Sequence, residues 1–175
     1  YDQFKRFSKF LYVFWPKSTK CIKTPKNKDI LFEIEVIHNG FQELSSNITH
    51  KRNVRLHREG YFIISDFLDH SRSVDTNCIL NWNISKMDHC LDSNSLRLWD
   101  DMNFMIKWKC NYDSHHQLFS GSENPIAGWH TRRYGEKQES LNLRIESKSK
   151  SKCIFYTLLG PIEKIEAVEF NDLKY

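Results

Sequence analysis

The sequence predicts an all-β chain: a two-sheet antiparallel β-sandwich of about ten short strands with little helix. Three observations predict it. Apolar and polar residues alternate over short runs, the pattern of strands with one buried face. Turn residues punctuate those runs at intervals near the ~8–12 residues typical of sandwiches. No segment of useful length carries the 3.6-residue periodicity of an amphipathic helix, so the apolar face of one sheet must meet another sheet.

The stretch from Gly40 to Asp69, GFQELSSNITHKRNVRLHREGYFIISDFLD, organises the rest. Arg52, Val54 and Leu56 alternate with Asn53, Arg55 and His57, a strand with one wet face. Arg58-Glu59-Gly60 makes a polar turn, and Tyr61 to Phe67 runs apolar, so the two segments read as a hairpin. The second strand is apolar on both faces until Asp66, which places it in the middle of a covered sheet.

The remaining elements follow in order. In residues 1–28, Phe4, Phe7, Phe10, Tyr12, Phe14 and Trp15 interleave with Lys5, Arg6, Lys9, Lys17, Lys20, Lys23, Lys26 and Lys28 against the single acid Asp2. Such interleaving suits a polyanion, with cations for charge and rings for stacking. It equally suits rings packed on a sheet with lysines snorkelling into water, the reading favoured here. Pro16 and Pro25 break the segment, which excludes a long helix. The sandwich then spans residues 30–170 of a single 1–175 domain. Phe32, Ile34 and Val36 alternate with Glu33 and Glu35 in a half-buried strand that Asn39-Gly40 closes. TNCILNWNI (76–84) is a further strand. Leu96 to Trp99 and Met102 to Cys110 form a second hairpin around Asp100-Asp101, with Phe104, Ile106 and Trp108 on one face. Residues 111–137 read as long loops around short strands. Leu141, Leu143 and Ile145 alternate with Asn142, Arg144 and Glu146, SKSKSK (147–152) is a solvated turn, CIFYTLLG is apolar on both faces, and Ile162 to Phe170 is expected to be a closing strand.

Composition bounds the function. At 175 residues the chain is long enough to bury roughly 70% of its unfolded surface. The formal charge of +4 is modest, which ranks nucleic-acid binding last among the candidate functions. No run of about 18 apolar residues exists, so no membrane span is expected. Because the sequence begins at Tyr1 without a charged and apolar leader, it reads as a fragment or processed piece of a larger chain. The five cysteines, Cys21, Cys78, Cys90, Cys110 and Cys153, form no CxxC pair. They predict isolated buried or half-buried thiols rather than a disulfide framework or a zinc site.

Two groups of residues carry candidate chemistry. His50 and Arg52 share one face of a strand, two residues apart, and such a pair suits a carboxylate, with Arg supplying a bidentate fork. Trp129-His130-Thr131-Arg132-Arg133-Tyr134 collects an indole, two guanidinium groups and a phenol in one loop, chemistry that fits sugar stacking and carboxylate binding. The substrate-binding set read from the sequence is therefore His50, Arg52, Trp129, Arg132, Arg133 and Tyr134. An exposed polar strand face and a loop anchored by its own rings are the plainer readings of the same residues. His115 and His116 point to opposite faces of an extended chain and do not make one metal site. No metal ligand is assigned, and no phosphate loop, nucleophile elbow or zinc-protease motif occurs.

GF-QEL, THKRNV and FIISDFLD together resemble the strand pair in the carboxy-terminal sandwich of heparinase II/III-like polysaccharide lyases. The family's pattern there is a Gly-Tyr, a His-x-Arg and an aliphatic strand ending in Asp. AGWHTRRYGEKQESLNLRIES followed by CIFYTLLGP is similar to the same domain's Tyr-Gly, Lys segment and its closing strand, and DQFKRFSKFLYVFWPKS to the stretch after the family's His-Asn-Thr motif. Phe41 stands where the family has Tyr, and Thr131-Arg132-Arg133 replaces a smaller pairing. The resemblance implies a lyase with an amino-terminal helical toroid, acting on uronic-acid polysaccharides by β-elimination, with this sandwich supporting the toroid and lining the substrate cleft. It implies an acidic polysaccharide and the upstream helical domain as partners, and a periplasmic or secreted location. The family's catalytic Asn, Tyr and His and its sandwich histidine motifs would lie upstream of Tyr1. No catalytic or metal residue is therefore carried over, no cofactor is assigned to this chain, and a divalent metal is left open for the parent enzyme. The chain alone is expected to be inactive. The alternative is a stand-alone carbohydrate-binding module for acidic glycans.

Overall fold

A computed structural model describes residues 5–8, 11–14, 18–23, 25, 27–41, 48–70, 75–100, 103–133 and 135–172. Its strands are β1 (Lys5–Ser8), β2 (Leu11–Phe14), β3 (Ser18–Lys23), β4 (Ile30–Phe41), β5 (Ile48–His57), β6 (Phe62–His70), β7 (Thr76–Ser85) and β8 (Asp88–Leu91). They continue with β9 (Ser95–Trp99), β10 (Asn103–Cys110), β11 (Ser114–Ser120), β12 (Ser122–Glu123), β13 (Ile126–Ala127), β14 (Trp129–His130), β15 (Gln138–Ser149) and β16 (Lys152–Pro161). One helical turn, α1 (Ile162–Ile165), and a 3-10 turn (Phe170–Asp172) end the described chain. The all-β antiparallel class expected from the alternation is what forms. The strands number more than ten because several are only two to four residues long.

An eight-stranded sheet runs β3-β4-β5-β6-β16-β10-β9-β8, and a four-stranded sheet runs β11-β15-β14 with β7 also on β15. The predicted hairpin is β5–β6, in register from Ile48↔His70 to Leu56↔Phe62. Gly60 turns it at φ +88°, a backbone that other residues reach only with strain. As its two apolar faces required, β6 sits inside the large sheet, between β5 and β16.

Both faces of the central strands are covered by different parts. On the inner face, Leu96, Leu98, Ile106, Trp108, Cys153 and Phe155 meet Cys78, Leu80, Leu141, Leu143 and Ile145 of the small sheet. On the outer face, Ile63, Met105 and Leu158 are covered by Ile165 and Phe170 from the carboxy-terminal segment. Lys107 donates to the backbone oxygens of Glu166 and Val168, at 3.3 and 2.8 Å, and fastens that segment down.

The segment after Pro161 corrects the sequence reading: Ile162 to Phe170 is not a strand. Ile162 and Ile165, three residues apart, turn toward the same cluster, a helical spacing rather than an alternating one. A second correction concerns the cysteines. Cys21 and Cys90 are exposed, and Cys110 and Cys153 are neighbours rather than isolated thiols, with sulfurs 3.8 Å apart. The solvated turn expected over 147–152 is shorter, since β15 continues to Ser149 with Ser147 and Ser149 buried. Residues 5–8 and 11–14 of the basic aromatic segment pair with each other as β1 and β2. The packing of their rings lies outside the described residues.

The two sheets are unequal. Residues joining them come from β6, β16, β10 and β9 on one side and β7, β11 and β15 on the other. The same face continues across β5, β4 and β3 as Leu56, Val54, Ile34, Phe32 and Ile22, the last 66% exposed.

Candidate functional site

The side chains with the most organised polar chemistry sit where the inter-sheet core gives way to that open face. Antiparallel register places His38 opposite His50, and Arg52 opposite both Val36 and Asp66. Alternation turns His38, His50, Arg52 and Asp66 to the same face. Asp66 is 1% exposed. A carboxylate so deeply buried requires paired charge and hydrogen bonds. Arg52 supplies both, donating from Nε to Oδ1 at 2.7 Å and from an Nη to Oδ2 at 3.0 Å. His50 Nε2 adds a bond to Oδ1 at 2.7 Å.

The chain of bonds extends outward and fixes the tautomers. The Gly40 backbone N–H donates to His38 Nδ1 at 3.2 Å, so His38 carries its proton on Nε2. That proton is donated to His50 Nδ1 at 2.6 Å, which leaves the His50 proton on Nε2, facing Asp66. Burial, and behind it the repulsion that a protonated His38 would meet from Arg52 and His50, holds the His38 pKa below its usual value. Burial alone would raise Asp66, but the hydrogen bonds from His50 and Arg52 and the guanidinium charge outweigh it and hold the carboxyl below the usual range. The Arg52 guanidinium also lies over the Trp82 ring of β7, at 5.4 Å, and so touches both sheets.

The sequence reading paired His50 with Arg52 around a carboxylate, and the carboxylate they hold is the chain's own Asp66. His38 and Asp66 escaped that reading. The signal for Asp66 was an acid interrupting a strand that is otherwise apolar on both faces. His38 carried no local signal, because its partner is set by register across two strands.

The second predicted group lies on the small sheet. Trp129 donates from Nε1 to the Ser122 oxygen at 2.8 Å, and Lys137 Nζ stands 3.7 Å from the centre of its ring. Its polar edge and one face thus fasten the loop. Thr131 Oγ1 donates to the Glu136 oxygen at 2.7 Å and closes the turn that leaves Arg132 and Arg133 exposed. Tyr134 lies outside the described residues. Gly128, at φ +73°, has the Phe119 oxygen 2.7 Å from where a Cβ would stand, so the loop crosses β11 too closely for any other residue. His115 bonds Glu146 at 3.2 Å while His116 packs edge-on against Trp108, opposite faces as alternation requires. Among the described residues no three His, Cys, Asp or Glu side chains converge as metal ligands.

Several solved structures share the fold. A heparinase III gene product matches with a TM-score of 0.67 and 15% identity, over 86% of this chain and 22% of that one. The heparan sulfate lyase HepC from Pedobacter heparinus matches at 0.63 with 14% identity, over 81% of this chain and 21% of that one. A further heparinase III structure matches at 0.65 with 12% identity. At these identities the likeness is one of fold, and this chain spans only about a fifth of the length of those proteins, 22% and 21%. No family model matches the chain, and no curated protein matches it.

Proposed function

We propose that this chain, sharing the fold of part of heparinase III, is the sandwich domain of a heparinase II/III-like polysaccharide lyase. In this reading a helical toroid of the same protein performs β-elimination on a uronic-acid polysaccharide. A base there removes the proton α to the carboxylate, a cation or hydrogen-bond donor neutralises the enolate, and an acid protonates the leaving oxygen. The sandwich supports the toroid and forms one wall of the cleft. The observation that carries this reading is the agreement of fold over 86% of this chain against 22% of its counterpart.

Two features of the molecule support it. The open inner face across β3, β4 and β5 presents apolar side chains that a further domain would cover. In the Asp66 network both carboxylate oxygens and all four ring nitrogens of His38 and His50 are bonded, which suits a rigid brace at the margin of a cleft better than a reacting group. Exposed Arg132 and Arg133 are the residues we assign to glycan carboxylates, with the part-exposed guanidinium of Arg52, steadied by His50 through Asp66, as a second contact.

The test is absorbance of unsaturated uronate during incubation with heparan sulfate and other uronic polymers. The isolated chain is expected to produce none, and the same strands within a protein that carries the toroid are expected to produce it. Product from the isolated chain would overturn the proposal. Retention of acidic glycans by the isolated chain, lost in Arg132→Ala/Arg133→Ala, together with an inactive longer protein, would favour the stand-alone binding module instead.

A further inference from the structure

Cys110 is the last residue of β10 and Cys153 the second of β16, on adjacent antiparallel strands where Cys110 stands opposite Phe155. Cys153 is two residues along from that partner, so both thiols point to the same face. Their sulfurs are 3.8 Å apart. The pair is asymmetric. Cys153 has no exposed surface, whereas Cys110 is half-buried and lines a cleft of about 440 Å³ with Asn94, Tyr112, Asp113, His116 and Asn171. A small polar molecule in that cleft reaches Cys110 first, and Cys153 stands behind it.

We propose that Cys110 and Cys153 form a thiol–disulfide exchange site for low-molecular-weight disulfides entering this cleft, with Cys110 as the attacking sulfur and Cys153 as the resolving one. The Cys110 thiolate attacks one sulfur of the small disulfide. That S–S bond breaks, one thiolate leaves, and a mixed disulfide forms on Cys110. Cys153 then gives up its proton to solvent or to the departing thiolate and attacks Cys110 Sγ, which expels the second small thiolate and closes Cys110–Cys153. Two protein thiols are oxidised and one small disulfide is reduced to two thiols.

The surroundings fit those roles. Hydrogen bonding from the Cys153 thiol, assisted by Ser147 and the backbone at Tyr112 and Asn111, outweighs burial and lowers the Cys110 pKa to about 6. The same bond works in reverse on Cys153, and with a second bond to the buried Cys78 thiol and burial itself it pushes that thiol far up. Closing from 3.8 Å to the ~2.05 Å of a disulfide asks about 1 Å of each sulfur. Cys110 ends the β10–β16 ladder, whereas Cys153 also pairs with Leu68 of β6, so more of the shift falls on Cys110. Exposed Cys21 and Cys90, on β3 and β8, serve as reference thiols.

The experiment incubates the chain with oxidised glutathione, quenches in acid, alkylates, and maps non-reduced peptides by mass spectrometry. The expected result is a peptide pair linked through Cys110 and Cys153, with Cys21 and Cys90 stopping at glutathione adducts. In Cys153→Ser the link is lost and the glutathione adduct accumulates on Cys110. In Cys110→Ser the link is lost and Cys153 stays unmodified. Near-ultraviolet circular dichroism checks that each variant folds. Should Cys153→Ser misfold, alkylation of the unaltered chain at neutral pH still decides, because Cys110 must react faster than the more exposed Cys21. Full modification of Cys21 and Cys90 without the Cys110–Cys153 link, a link from Cys153 to Cys78 instead, or Cys110 alkylating more slowly than Cys21 would each overturn the proposal.

Discussion

Asp66 shows how one residue constrains three strands. Its carboxylate is buried, and its bonds run to Arg52 and His50 on the neighbouring strand and through His50 to His38 on the next. Asp66→Ala is expected to cost about 1.5–3 kcal/mol, the range for hydrogen bonds to a charged group, read as a fall in the urea midpoint. Acidification should act in two stages. His38 has a depressed pKa, so the unfolded chain takes up its proton first, and stability falls as pH drops below the ordinary imidazole value of about 6.5. Asp66 is also depressed, so its contribution is complete above the ordinary carboxylate range and is lost as pH falls through its folded pKa. Glu35, lowered chiefly by its bond to Lys23, adds to that lower stage. Urea midpoints measured from pH 8 to 3 should therefore lose the upper stage in His38→Gln and keep part of the lower one in Asp66→Asn. A His38→Gln curve identical to that of the unaltered chain would show that the imidazole titrates as it does in water. At this scale the sequence was half legible. His50 and Arg52 are two apart on one strand, so alternation alone turns them to one face. Asp66 and His38 join them only through register, which local pattern does not encode.

Elements were read well wherever the run was long enough to alternate, as in β4, β5, β10 and β15. The reading failed after Pro161, where the segment is short and its apolar residues have helical spacing. There the chain stops pairing and folds back over the outer face as α1. The close approach that lets β16 and the β5–β6 turn meet is made at Gly160. A Cβ on Gly160 would stand 2.7 Å from Tyr61 Cβ and 3.1 Å from Tyr61 Cα, backbone-anchored atoms that cannot swing aside. Gly160→Ala is thus an overpacking change, expected to cost about 1–3 kcal/mol in denaturant unfolding. Its effect should centre on Tyr61, which belongs to the cluster under α1, with Ile63, Met105 and Leu158. Hydrogen exchange at α1 should accelerate before exchange in the inter-sheet core does. Uniform acceleration through both clusters would mean that the sandwich opens as one unit.

At the scale of the whole molecule, the sandwich class was legible because nothing but another sheet was available to cover these strands. The inequality of the two sheets was not, because it follows from nonlocal pairings: β16 inserts between β6 and β10, while β7 and β15 leave to build the small sheet. The small sheet therefore covers only part of the large one. Ile22, Phe32 and Phe62 remain 66%, 41% and 39% exposed on the inner face, next to half-buried Ile34, Val54 and Leu56. Single exposed apolar residues are ordinary on any surface, but a contiguous row on one sheet face marks a surface that another body covers. If this chain is one wall of a lyase, Ile22→Lys separates the two roles of that row. In the isolated chain the side chain already meets water, so unfolding should shift by no more than about 0.5 kcal/mol. In the longer protein the lysine would be driven into an apolar contact, and thermal stability and unsaturated-uronate production should fall together. Loss of activity with the two unfolding curves unchanged would put Ile22 at the glycan instead of at a domain contact, and full activity with unchanged stability would mean that the toroid seats on a different face.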